Sequence, residues 1–71
     1  MKKISVMIAG RHATSLTLEN AFYDALKQIV KTQKTTITDL VTTIDQSRED
    51  MSLSSALRVY ILKYFQEISK K

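Results

Sequence analysis

Cysteine, proline and tryptophan are absent from the 71 residues, and glycine and histidine occur once each. Without cysteine there is no disulfide and no thiolate zinc site. A single histidine, His12, does not make a metal site by itself, so no metal is expected. The lack of cysteine also fits a reducing compartment. No apolar run approaches the roughly 20 residues that a membrane helix requires. Val6-Met7-Ile8-Ala9, behind Lys2 and Lys3, is closed by Arg11 and His12 and is too brief for a secretory leader. A soluble, cytoplasmic chain with no membrane partner is the expectation. There is no glycine-rich phosphate loop, no nucleophile–base set and no metal motif. Neither an enzyme nor a cofactor is expected.

Shortness is itself a constraint. Residues 1–71 make one domain at most, and such a domain buries only about 60% of the surface its unfolded chain exposes. Disulfides, metals or partners usually make up the shortfall. With the first two excluded, oligomerisation remains.

The formal net charge is +4, unevenly spread. Residues 1–18 carry Lys2, Lys3 and Arg11 and no acid, whereas Asp39, Asp45, Glu49 and Asp50 gather in the middle beside Arg48. Arg58, Lys63, Lys70 and Lys71 make the last segment basic again. A basic start is compatible with a polyanion partner.

Ala13-Thr14-Ser15-Leu16-Thr17-Leu18-Glu19 alternates small polar and apolar residues before turning helical. Period two means a strand with one buried and one exposed face. Leu16 and Leu18 point one way; Ala13, Ser15 and Thr17 point the other. A lone strand leaves its backbone groups unsatisfied, and in so short a chain the partner this suggests is a second copy. Residues 1–12 read as a basic arm or an additional strand, since Ile4, Val6 and Ile8 also alternate. Gly10 marks a turn or kink. Whether Lys3–Ile8 pairs with Thr14–Leu18 as a hairpin or extends a ribbon across a dimer stays open.

Three helices follow. The first is expected over 19–33, with Phe22, Ala25, Leu26, Ile29 and Val30 three and four apart. Glu19 and Asp24 lie early and Lys27, Lys31 and Lys34 late, in the order the helix dipole favours. The second is expected over 36–46, with Thr36 as cap, Asp39 three residues on, and Ile37, Leu40, Val41 and Ile44 on its apolar face. Thr42 and Thr43 weaken it locally. Asp45–Asp50 reads as a polar loop or a frayed turn and loop. The third is expected over 52–69, capped by Ser52 or Ser54. Its stripe is Leu53, Ala56, Leu57, Tyr60, Ile61, Tyr64, Phe65 and Ile68. The class is mostly α with one short ribbon.

A strand at 13–18, a helix opening Leu18-x-x-x-Phe22-x-x-x-Leu26 and a threonine-capped second helix resemble the ribbon-helix-helix DNA-binding proteins. Gly10–Glu19, Phe22-Tyr23-Asp24-Ala25-Leu26-Lys27, Ile44-Asp45 and Leu53-Ser54-Ser55-Ala56-Leu57-Arg58-Val59-Tyr60 resemble, in combination, a bacterial subfamily of small ribbon-helix-helix proteins. The resemblance implies a strand that pairs across an intertwined homodimer and a ribbon that enters the major groove of double-stranded DNA. Strand pairs do fit there.

Carried over by position, Ala13, Ser15 and Thr17 fall on the base-reading face, and Arg11 is the strongest base-contact candidate. Thr36, Ile37 and Thr38 fall where relatives hold a backbone phosphate with amide groups, a use that helix N-termini support. Lys2, Lys3, His12 and Lys34 complete the expected phosphate contacts. Leu16, Leu18, Phe22, Leu26, Leu40 and Ile44 fall on the dimer core. Two departures stand out. The ribbon face is Ala, Ser and Thr where many relatives have a long polar side chain. Lys34-Thr35 occupies a turn that often holds glycine.

A transcriptional repressor that binds specific DNA as a homodimer, or a dimer of dimers, is therefore expected. The alternative is a dimerisation or protein-interaction module, antitoxin-like or an assembly adaptor, working through the acidic 45–50 loop and the apolar third helix.

Overall fold

A computed structural model describes residues 1–8 and 12–69. Gly10, expected at a turn, and Arg11 lie outside the described residues, as does the side chain of His12. The chain runs β1 (Lys2–Ile8), β2 (His12–Leu18), α1 (Asn20–Gln33), α2 (Ile37–Ser47) and α3 (Leu53–Ser69). Mostly α with one antiparallel ribbon and three helices is what the sequence predicts. Helix boundaries fall within a residue of expectation, and part of the expected 45–50 loop is the last turn of α2.

The ribbon's second strand is β1 of the same chain. The two strands pair antiparallel in the register Lys3↔Thr17, Ser5↔Ser15 and Met7↔Ala13. The inference from a solitary strand to a second copy is thereby corrected: Ile4, Val6 and Ile8 alternate as regularly as Leu16 and Leu18, and the seven-residue β1 satisfies one edge of β2 within the protomer. Its other edge meets α3, where the Ser54 hydroxyl donates to the Thr17 carbonyl at 3.3 Å. A side chain at an open edge occupies a group that would otherwise invite another strand.

Ile4, Val6, Ile8, Leu16 and Leu18 line the inner face of the ribbon. They pack on Leu26, Ile29, Leu40, Val41, Ile44, Ala56, Leu57 and Ile61. Among the described residues no polar side chain is buried. Five of the six residues expected in a dimer core (Leu16, Leu18, Leu26, Leu40 and Ile44) are buried in this single chain, and Phe22 packs against them half-buried. Leu18 and Leu26 retain no accessible surface. They are core of the protomer itself.

Local signals explain the helix ends. Thr36 Oγ1 accepts from the Asp39 amide at 3.1 Å, so the threonine caps α2. Ser52 Oγ accepts from the Ser55 amide at 3.2 Å and does the same for α3. In α2 the Thr42 and Thr43 hydroxyls donate to the carbonyls of Thr38 and Asp39, one turn back. These threonines thus find partners within the helix they were expected to weaken. The α1–α2 turn is closed by Thr35 N–H donating to Val30 O at 3.0 Å, with Lys34 at φ 56° and ψ 45°. That left-handed conformation favours glycine, because a Cβ crowds the carbonyl. Lys34→Gly is therefore expected to stabilise the fold by about 0.5–1 kcal/mol, visible as a higher urea midpoint with unchanged slope.

Candidate nucleic-acid interface

Pleating sorts the ribbon residues into two sets. Lys3, Ser5, Met7, Ala13, Ser15 and Thr17 are all exposed on one face, opposite the apolar face. This face offers a positive charge, three hydroxyls and two apolar groups, with no carboxylate on either strand. Hydroxyls donate to or accept from base edges, and small apolar groups touch the thymine methyl. Two strands about 4.8 Å apart fit a major groove about 12 Å wide. The expected base-reading residues Ala13, Ser15 and Thr17 thus stand in one row, joined by Ser5 and Met7 across the ribbon. The sequence argument passed over those two because it left the partner of β2 open; the alternation of Ile4, Val6 and Ile8 is the signal that finds them.

The expected phosphate contacts do not form one cluster. Lys3 shares the hydroxyl face, but Lys2 points to the other side because neighbouring strand residues alternate. Lys2 Nζ lies 5.5 Å from the centre of the Tyr23 ring, which Lys27 Nζ approaches to 5.4 Å. Cations at that range are attracted to the ring face. His12 pairs with Ile8 at the end of the ribbon. Lys34, Thr36 and Thr38 are exposed, and Ile37 is half-buried against the core, leaving only its amide for an anion.

A polar groove flanks the Lys3–Thr17 end of the ribbon. Its walls include Lys3, Ser15, Thr17, Asp45, Arg48 and Ser52. It meets α2 at Asp45, near the helix C-terminus; Ile37, at the start of α2, lies about 12 Å away along the helix, at 1.5 Å per residue over eight residues. Arg48 is fixed there, its Nε donating to Asp45 Oδ1 and its Nη1 to the Met51 carbonyl, both at 2.7 Å. Arg48 and Ser52 escape sequence analysis because only the folding back of the 48–52 loop brings them beside the ribbon.

The junction of ribbon and helix is tethered. Glu19 accepts two hydrogen bonds from Arg58, Nε to Oε1 at 2.9 Å and Nη2 to Oε2 at 3.3 Å. Glu19 makes no side-chain cap on α1, because its carboxylate turns to α3 instead. The Arg58 guanidinium, together with the backbone amide, holds the Glu19 carboxyl below its ordinary value of 4.5. A carboxylate with a lowered pKa stabilises the fold above its unfolded pKa and loses that contribution as pH falls through the folded one. Glu19→Gln is therefore expected to lower Tm at pH 7, with the difference from the parent narrowing below pH 4.5. Thermal melts of both proteins at pH 7 and pH 3 measure it. An equal gap at both values contradicts the pairing.

Ribbon, capped helices and apolar core together define a class. A family model described as ribbon-helix-helix domain matches residues 1–65, and the chain belongs to that family. The family is generally one of DNA-binding transcription regulators, typically binding DNA as dimers and typically without enzymatic activity. Comparison with curated proteins and with solved structures gives no match. No helix among the described residues is long and apolar enough to cross a membrane.

Proposed function

We propose that this protein is a transcriptional repressor that binds specific DNA as a homodimer and lays its antiparallel ribbon in the major groove. The observation that carries the reading is the outer ribbon face, where Lys3, Ser5, Ala13, Ser15 and Thr17 stand exposed without an acid among them. Ser15 and Thr17 read base edges, Ala13 touches a thymine methyl, and Arg11 adds the strongest base contact. Lys3 neutralises a phosphate at the edge of the groove. The phosphate contacts proposed for His12, Lys34 and the start of α2 (Thr36, Ile37 and Thr38) lie away from the Lys3 end. They require DNA that passes along the protomer. Because Lys2 is held over Tyr23, it contributes less than Lys3.

Hydroxyl and methyl contacts discriminate less than a bidentate arginine on guanine, worth about 1–3 kcal/mol. A modest preference per half-site, multiplied by two copies, is the expected pattern. Selection of bound DNA from a random pool, followed by titration at two salt concentrations, tests the reading. Recovery of a repeated or palindromic motif, with affinity falling steeply in salt, supports it. A pool that gains no motif, or no binding at low salt, rejects it in favour of a protein-interaction module.

A further inference from the structure

The outer face of the ribbon changes chemistry along its length. Its three outward couples are Lys3 opposite Thr17, Ser5 opposite Ser15, and Met7 opposite Ala13. The first carries a charge and a hydroxyl, the second two hydroxyls, and the third only carbon and sulfur. Met7 is 50% exposed, and among the described residues it is the one large apolar side chain left in water on either strand. The core has no use for it, because Ile4, Val6 and Ile8 fill the inner face from alternate positions of the same strand. Residues directly opposed across an antiparallel pair stand about 4.5–5.5 Å apart at Cβ. Met7 and Ala13 therefore make one apolar patch, at the end of the ribbon where Ile8 pairs with His12.

What the patch fits follows from what DNA displays in the major groove. Base edges there are hydrogen-bond donors and acceptors, and the thymine C5 methyl is the apolar exception. A donor or acceptor set against Met7 and Ala13 would lose its water and gain no partner, which costs free energy. A methyl group set there leaves water favourably. The unbranched, polarizable thioether adapts its shape to such a contact.

Pairing also gives the face a direction. Both strands belong to one chain, so the ribbon has an apolar end and a charged end. Strand residues advance about 3.4 Å each, which sets Met7 about 14 Å from Lys3. That span covers at most about four base-pair steps of about 3.4 Å.

We infer that Met7, with Ala13 opposite it, determines specificity by selecting thymine at one end of each half-site, away from the base pair that Thr17 reads. The inference rests on the DNA-binding function proposed above. It adds β1 to the strand that reads bases and gives each half-site a polarity.

Titration of duplexes that carry the selected motif tests this. Deoxyuridine in place of thymine removes the C5 methyl and keeps the base pair. At one thymine the replacement is expected to weaken binding by the parent about fourfold, the effect of one methyl group taken out of water. Met7→Ser is expected to cut that ratio to about twofold or less, whereas Met7→Leu and Ser5→Ala keep it. The sensitive thymine is expected within about four base pairs of the position whose preference Thr17→Ala relaxes, and not at that position. Circular dichroism melts of each variant are expected to match the parent, since the altered side chains are exposed. The deoxyuridine scan of the parent requires no variant, and a scan without a sensitive thymine overturns the inference by itself. A ratio that stays above about twofold in Met7→Ser, or a sensitive thymine at the base pair that Thr17 reads, also overturns it. Each of these results leaves DNA recognition standing. A selection that yields no motif removes DNA recognition, and the role of Met7 falls with it.

Discussion

Lys3→Glu is expected to weaken binding to the selected DNA about hundredfold at 0.1 M salt, from about tenfold for each of two protomers. The change removes a phosphate-neutralising charge and sets a carboxylate against the backbone. The slope of log affinity against log salt should fall by about 0.9 for each lost contact, and so by nearly two for a dimer. Lys2→Glu supplies the control. It makes the same change of charge one residue away, on the face turned toward Tyr23. An equal loss for both variants means that overall charge, not the ribbon face, governs binding. Lys3 is exposed and its cross-strand neighbour is Thr17, so folding is not expected to suffer. Melting curves recorded alongside the titrations check that point.

Leu57→Ala is expected to be the most damaging single change to the fold, at about 3–4 kcal/mol. Leu57 has no accessible surface and holds α3 to the rest of the core. Stability of about 0.05–0.15 kcal/mol per residue gives a chain of this length only about 4–11 kcal/mol in all. The variant is therefore expected to be partly unfolded at 37 °C. On the same helix, Leu62 is 56% exposed, and Leu62→Ala should stay within about 0.5 kcal/mol. Urea titration of both variants measures the contrast. A loss below 1 kcal/mol at Leu57 would mean that α3 docks less firmly than its burial indicates.

Much of this architecture is legible in the residues. Period-two alternation marks both strands, and three- and four-residue spacing marks all three helices. Thr36 and Ser52 cap as their positions suggest. The ribbon face is legible as well, since Ala13, Ser15 and Thr17 alternate with Leu16 and Leu18. The partner of β2 is less so, because alternation states which face is buried but not which strand lies alongside. Register comes from the pairing of whole strands. The opposed directions of Lys2 and Lys3 follow from that same pleat, yet adjacent lysines in a sequence read as one basic patch. Arg48 and the Glu19–Arg58 tether are harder still. Their contacts depend on where a loop and a helix come to rest, and no local spacing encodes that. In α3 the periodicity shows a wide apolar stripe, but only packing reveals that Ala56, Leu57 and Ile61 are enclosed while Val59 and Ile68 are left in water.

Because one polypeptide supplies both strands of the hairpin, the DNA-reading face proposed above would be complete before any assembly takes place. If the proposed function holds, a solitary protomer would hold one half-site weakly. The joining of two such faces would add avidity through the raised local concentration of the second, and would require no new contact to the bases. Occupancy of such a site would rise in proportion to protein at low concentration and steepen only once copies begin to pair, so the cell's supply of the chain would itself set how sharply the site responds.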